Sequence, residues 1–122
     1  MQKRTMLKAP PRTLVSQATK LMEKRNVGAV LVVESDRLVG IFTERDVTFR
    51  VVAHDLDPRT TRLRDVMTPD PQTVDPSQPF GYALLTMHER GFRHLPVIEG
   101  GKIIGIVSSR SAMDPDLEDF VS

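Results

Sequence analysis

Residues 11–47 align on residues 76–112 at a constant offset of 65, without a gap. Nine positions are identical: Pro11/Pro76, Ala18/Ala83, Met22/Met87, Arg25/Arg90, Val32/Val97, Glu34/Glu99, Gly40/Gly105, Ile41/Ile106 and Arg45/Arg110. Roughly two or three would arise from ordinary composition alone. Other pairs exchange like for like, as in Val33/Ile98, Arg37/Lys102, Val39/Ile104 and Thr43/Ser108. The period exceeds the roughly 20–50 residues of solenoid repeats. Two copies of this size predict two half-domains packed with pseudo-two-fold symmetry, whose seam would hold two similar clefts.

Within each copy the pattern reads helix, strand, turn, strand, helix. Leu14, Ala18, Leu21 and Met22 make the stripe of an amphipathic helix, and Phe80, Ala83, Leu84 and Met87 make its counterpart. Both helices should stop at the aligned Asn26 and Gly91, residue types that tolerate a left-handed cap. Ala29–Val33 and Leu95–Ile98 are short apolar runs, expected as strands buried on both faces. Ser35-Asp36 and Gly100-Gly101 mark tight turns into second strands at 38–42 and 103–107. Pro96 argues that its strand lies at an edge or begins there. Thr73-Val74 reads as a short strand opening copy two, and Met6-Leu7 as a weaker equivalent in copy one.

Copy one then continues into a helix from Glu44 to about His54. Its apolar residues Val47, Phe49, Val51, Val52, Ala53 and Leu56 cover more than one face. One face can pack on a sheet, and the other predicts a second subunit. Pro115 cuts the corresponding segment of copy two short. The organisation predicted is a first repeat at 6–56, a connection at 57–71, a second repeat at 72–113 and an acidic tail at 114–122.

Composition excludes several classes of function. The 122 residues match one ordinary domain in size. Aromatics make up 5% with no Trp, against a single-strand stacking platform. A net charge of +1 is far from the basic balance of a nucleic-acid binder. The absence of Cys removes disulfides, thiolate metal sites and Cys nucleophiles. Met1-Gln2-Lys3-Arg4 is not followed by an apolar signal core, and no run reaches membrane-spanning length. A cytoplasmic protein is expected, with no membrane, nucleic-acid or metal partner, and the chain could be one piece of a longer polypeptide.

The chemistry concentrates after each second strand. Gly40 and Gly105 interrupt apolar strands, where glycine often marks a close approach of backbone or ligand. Thr43 and Ser108 follow at a fixed distance, and Asp46 comes three residues after Thr43. Hydroxyl and carboxylate at that spacing share one face of a first helical turn. The free amides of a helix start attract anions. Gly40-Ile-Phe-Thr-Glu-Arg-Asp46 can therefore offer a hydroxyl and amides to phosphate and a carboxylate to a ribose diol. Arg45 and Arg110 add positive charge nearby.

With the duplication, these segments resemble a tandem pair of CBS domains, a Bateman module. The resemblance covers about residues 6–113. It rests on Gly40–Val47, Gly105–Ser111, Arg93-His-Leu-Pro-Val97 and the lead-in Asp65-Val-Met-Thr-Pro69. It implies an α/β fold of two β-α-β-β-α repeats, dimerisation through helices, and no catalysis. It also implies binding of an adenosine-containing ligand such as AMP, ATP or NAD in the clefts between the repeats, as a regulatory ligand rather than a cofactor. By position, Thr43 would face phosphate, Asp46 the ribose, and Gly28 and Ala29 the base. Arg93 and His94 match phosphate-contacting positions, and Thr73, Pro96, Ser108 and Arg110 complete the expected surroundings. Ser111 stands where a second ribose-binding Asp is expected, so two equal sites are not implied. A regulated enzyme or transporter is the kind of partner implied.

Plainer readings stand beside each of these. The two glycines could simply ease packing, Asp46 could serve only the helix dipole, and His94 could be a half-buried structural residue. His54 and His88 read as solvated, Arg59, Arg62 and Arg64 as a solvated connection, and the methionines as packing. A ligand-free interaction module is the main alternative function. A hydrolase built on Ser108 and His94 has no supporting spacing.

Overall fold

The computed structural model describes residues 6–91 and 93–108, which fall into two compact units of mixed α/β structure meeting in sequence at Pro71 and Gln72. The first unit carries a four-stranded sheet in the order β1-β2-β3-β4. Its strands are β1 (Lys8–Ala9), β2 (Ala29–Glu34), β3 (Arg37–Thr43) and β4 (Thr68–Pro69). β1 runs parallel to β2, and the other neighbours are antiparallel. The opening strand thus lies at Lys8–Ala9, beyond the expected Met6-Leu7, although the Leu7 carbonyl does accept from the Leu31 amide at 2.8 Å.

Helix α1 (Val15–Arg25) buries Val15, Ala18 and Met22 against this sheet. Leu14, expected to head the stripe, is instead the extended N-cap residue, and Val15 takes the fully buried place. Burial of a side chain such as Val or Met contributes about 1.5–3 kcal/mol. The Gln17 side chain accepts from the Leu14 amide at 3.0 Å. Asn26 closes the helix at φ 53°, and the Val27 amide returns to the Met22 carbonyl at 3.0 Å, as expected for a left-handed cap.

Residues 57–71, expected as a connection, carry ordered elements of the first unit: α3 (Leu63–Val66) and β4. Leu63 and Val66 belong to its core. The Val15 and Ser16 amides, which lack partners within α1, donate at 2.8 Å to the carbonyls of Thr61 and Pro58. The arginines at 59, 62 and 64 are exposed, in keeping with a solvated role.

The helix expected after β3 opens as one α-helical turn, α2 (Glu44–Asp46), and continues as a π-helix over Val47–Val52. Amides reach back five residues, from Ala53 to Thr48 and from Leu56 to Val51, each at 3.0 Å. The wider winding turns Val51 into the core and leaves Phe49 at 54%, Val52 at 65% and Leu56 at 40% exposure.

The second unit contains α4 (Phe80–Arg90), β5 (His94–Glu99) and β6 (Lys102–Ser108). Gly91 closes α4 at φ 72°. Among the described residues its core gathers Val74, Ala83, Met87 and Leu95, with Leu84, Val97 and Val107 packed beside them. Val74 pairs parallel with Val97 as a single bridge, so Thr73-Val74 is not the two-residue strand expected. The cause is local. The β1–β2 ladder pairs Lys8 with Leu31 and Ala9 with Val32. Pro96 stands at the position of Leu31 and has no amide to give, so the first rung is lost. Pro96 is the third residue of β5 and not its start, with its nitrogen toward the side that only Val74 bridges.

Both hairpins share one irregularity. Pairing shifts between Val32 and Val33 in one copy and between the aligned Val97 and Ile98 in the other. Val39 and Ile104 are the extra residues, and Gly40 and Gly105 follow them directly. Positive φ at Ser35 and Asp36, and at Gly100 and Gly101, gives both turns the two-residue form whose twist suits a hairpin.

Candidate functional site

The end of β3 gathers the expected residues of the first repeat. Thr43, its last residue, pairs with Ala29, the first residue of β2. The Glu44 amide donates to the Gly28 carbonyl at 3.1 Å. Asp46 is buried at 7% exposure. Its Oδ2 accepts from the Thr43 amide at 2.8 Å and from the Thr43 hydroxyl at 3.3 Å. Its Oδ1 lies 3.4 Å from Arg50 Nε. Hydroxyl and carboxylate share one face, as the spacing predicts. The Glu44 and Thr43 amides, however, are already bonded within the chain, so two of the amides expected to greet an anion are taken. Burial holds the Asp46 carboxyl above its ordinary range, and the Thr43 amide, the Arg50 guanidinium, the Thr43 hydroxyl and Arg45 oppose it.

Arg45 does not turn onto this pair. Its guanidinium lies 4.8 Å from the centroid of the Phe49 ring, a cation–π contact on the exposed side of the helix.

Gly40 has a packing explanation. A Cβ built there would overlap the Met67 sulfur. At Gly105 the same Cβ meets no described atom within 4 Å.

In the second unit the register repeats. Ser108, the last residue of β6, pairs with His94, the first of β5. Ser108 is buried, His94 half-buried and Arg93 exposed. Pro96 is fully buried two residues along β5, and Thr73 is half-buried just before the Val74 bridge. Arg110 and Ser111 lie outside the described residues, as do the segment cut short at Pro115 and the acidic tail. Among the described residues no cluster of His, Asp or Glu could hold a metal ion, and no helix is long and apolar enough to cross a membrane. A surface depression of about 360 Å³ lies on the first unit between α1 and the π-helix, lined by Met22, Asn26, Val27, Glu44, Val47 and Thr48 among others.

Sequence reasoning missed Arg50 and Met67. Arg50 sits four residues after Asp46, a spacing at which opposite charges meet on a helix. That signal was available. Met67 over Gly40 joins residues distant in sequence, and no local pattern announces it.

The sequence model of the CBS domain matches the chain twice, at residues 2–53 and 63–115. The chain belongs to the CBS-domain family. Its two repeats are two CBS domains. The CBS domain-containing protein CBSCBSPB1 of Arabidopsis thaliana is 39% identical over 100 residues, covering 81% of this chain but 18% of the plant protein. The chain thus spans under a fifth of that relative's length. The solved structure of a protein with CBS domains from Burkholderia ambifaria has a TM-score of 0.88 at 37% identity, over 95% of this chain and 85% of that one. A CBS domain protein from Pyrobaculum aerophilum, complexed with AMP, has a TM-score of 0.84 over 98% of this chain and 93% of that one. At 23% identity this last likeness shows the fold alone.

Proposed function

We propose that this CBS pair is a non-catalytic cytoplasmic sensor for an adenosine-containing nucleotide of the AMP, ATP or NAD type. Its occupancy is passed to a regulated enzyme or transporter. The observation that carries this reading is the buried Asp46 carboxylate beside the Thr43 hydroxyl at the end of β3, next to Gly28 and Ala29. A carboxylate so placed suits a ribose diol, and a hydroxyl beside it suits phosphate. The AMP complex of the Pyrobaculum protein supports the ligand class for this fold. Arg93 and His94, with Thr73, Pro96 and Ser108, are the second repeat's contribution in this reading, together with Arg110 and Ser111. Calorimetry against AMP, ADP, ATP, NAD, NADH and S-adenosylmethionine tests it. Silence from all six at millimolar concentration would overturn it. Asp46→Ala should lower affinity about tenfold or more, because hydrogen bonds to a charged group contribute roughly 1.5–3 kcal/mol. Arg93→Ala should cost more as phosphate charge grows and less at high salt.

The same module is a homodimer in this reading. Phe49, Val52 and Leu56 leave an apolar stripe exposed along the π-helix and the turn after it. That stripe also favours a second reading, a dimerisation or docking module that needs no small ligand. Partner capture indifferent to nucleotide and to Asp46→Ala would favour it.

A further inference from the structure

Arg50 touches two elements at once. Its Nε lies 3.4 Å from Asp46 Oδ1. Its Nη1 donates to the carbonyls of Val66 at 3.2 Å and Met67 at 2.9 Å. Those carbonyls end α3, where acceptors lack helical partners and a cation is favoured. The chain then forms β4 against Gly40 and Ile41, and the Asp70 amide donates to the Val39 carbonyl at 3.2 Å. Pro71 ends the first unit. One planar guanidinium therefore joins the Thr43–Asp46 turn to the last segment of the unit.

The acceptor capacity of Asp46 gives this bridge a consequence. A carboxylate offers about four lone-pair sites. Thr43 takes two on Oδ2, and Arg50 stands against Oδ1 as an ion pair at 3.4 Å. A vicinal diol brings two donors, and the guanidinium already crowds Oδ1, the oxygen whose sites are open. The Thr43 hydroxyl can rotate, and if it turns to a phosphate oxygen it releases a site on Oδ2. The diol then has one site on each oxygen while Arg50 keeps its own. Arg50 holds the carboxylate plane in place, and a carboxylate fixed by a diol in turn holds Arg50 for Val66 and Met67. Such coupling is reciprocal.

We propose that Arg50 is a positioning residue: it orients Asp46 for a ribose diol, and diol occupancy tightens the Val66–Asp70 segment through the same guanidinium. The proposal rests on the nucleotide-binding reading for its ligand, but the bridge itself can be tested without one. In the nucleotide-free chain, Asp46→Asn should speed amide exchange at Val66–Asp70, and should have no such effect once Arg50→Met is present. With nucleotide, Arg50→Met should weaken AMP about fivefold to tenfold, the size of one charge-assisted contact, and leave 2′,3′-dideoxy-AMP unchanged. Arg50→Lys, which keeps the charge but loses the fork, should recover part of the AMP affinity. AMP should protect Val66–Asp70 in the parent chain and not in Arg50→Met. Equal weakening of both nucleotides, or exchange at Val66–Asp70 indifferent to Asp46→Asn, overturns the proposal. A parent chain that binds no nucleotide overturns the diol half along with the functional reading. The nucleotide-free exchange arm then decides alone whether Arg50 bridges the two elements.

Discussion

Alanine at Gly40 and alanine at Gly105 are the same change at aligned positions, and the structure gives them opposite outcomes. Neither glycine has the left-handed backbone that excludes other residues. At Gly40 the new methyl overlaps the Met67 sulfur. The overlapped atoms are the flexible end of the Met67 side chain, so the methyl is admitted only as that thioether leaves its packed position. Gly40 itself is held between β2 and β4. Overpacking relieved by a flexible side chain costs about 1 kcal/mol, the low end of its range. For a unit of this size that lowers Tm by about 4–8 °C. At Gly105 the methyl meets no described atom within 4 Å, and the loss of unfolded-chain freedom should stabilise by about 0.4–1 kcal/mol. Calorimetric melting of the two variants, and of Gly40→Ala in a Met67→Ala background, measures this directly. The cost of Gly40→Ala should largely vanish once Met67 is truncated. Equal costs at the two glycines would refute the packing argument. So would a Gly40→Ala chain of normal stability with impaired nucleotide binding, because that pattern belongs to a glycine kept for ligand approach.

Phe49→Glu should weaken self-association far more than Lys24→Glu on exposed polar surface of α1, and sedimentation at micromolar concentration checks both the dimer and the difference. Because the Asp46 carboxyl is held above its ordinary range, the folded chain binds that proton more tightly than the unfolded chain. Its contribution to stability therefore grows as pH falls through the folded value toward about 4 and is lost as pH rises. The parent should gain stability over Asp46→Asn on acidification, and a denaturation difference that is flat or reversed with pH would sink this. Asn26→Ala should cost about 1 kcal/mol through its left-handed backbone, while Asn26→Gly should be near neutral, as read from urea midpoints.

What could be read from the sequence follows how local each cause is. The helix ends at Asn26 and Gly91, the two hairpin turns and the twin hydroxyls at Thr43 and Ser108 are set by neighbouring residues and a repeated pattern. The duplication doubled each signal. The π-helix at Val47–Val52 was not announced, because its residues allow an α-helix and its winding depends on Val51 reaching the core while Arg50 reaches α3. The ordered character of residues 57–71 was masked by Pro58, Pro69 and Pro71 and by exposed arginines. Its buried residues, Leu63 and Val66, are few and gain their meaning only from α1 and β3. The site divides in the same way: the Thr43–Asp46 pair is a matter of spacing, and its link to Val66 and Met67 is tertiary.

Pro96 shows how two copies of one pattern come to differ in strength. At Leu31 the strand gives an amide to Leu7 and so carries β1 over two rungs. The proline ring at the aligned position removes that donor, and the opening strand of the second repeat shrinks to the Val74 bridge. A rung of this kind is worth about 0.5–1.5 kcal/mol, and its loss falls on the second unit alone. The second repeat should therefore open first. Amide exchange resolved along the chain should show β5 and β6 exchanging ahead of β2 and β3. Pro96→Leu should narrow the gap by restoring a donor opposite Thr73. If β2 and β3 exchange first, or Pro96→Leu leaves the gap unchanged, the lost rung is not what separates the two repeats.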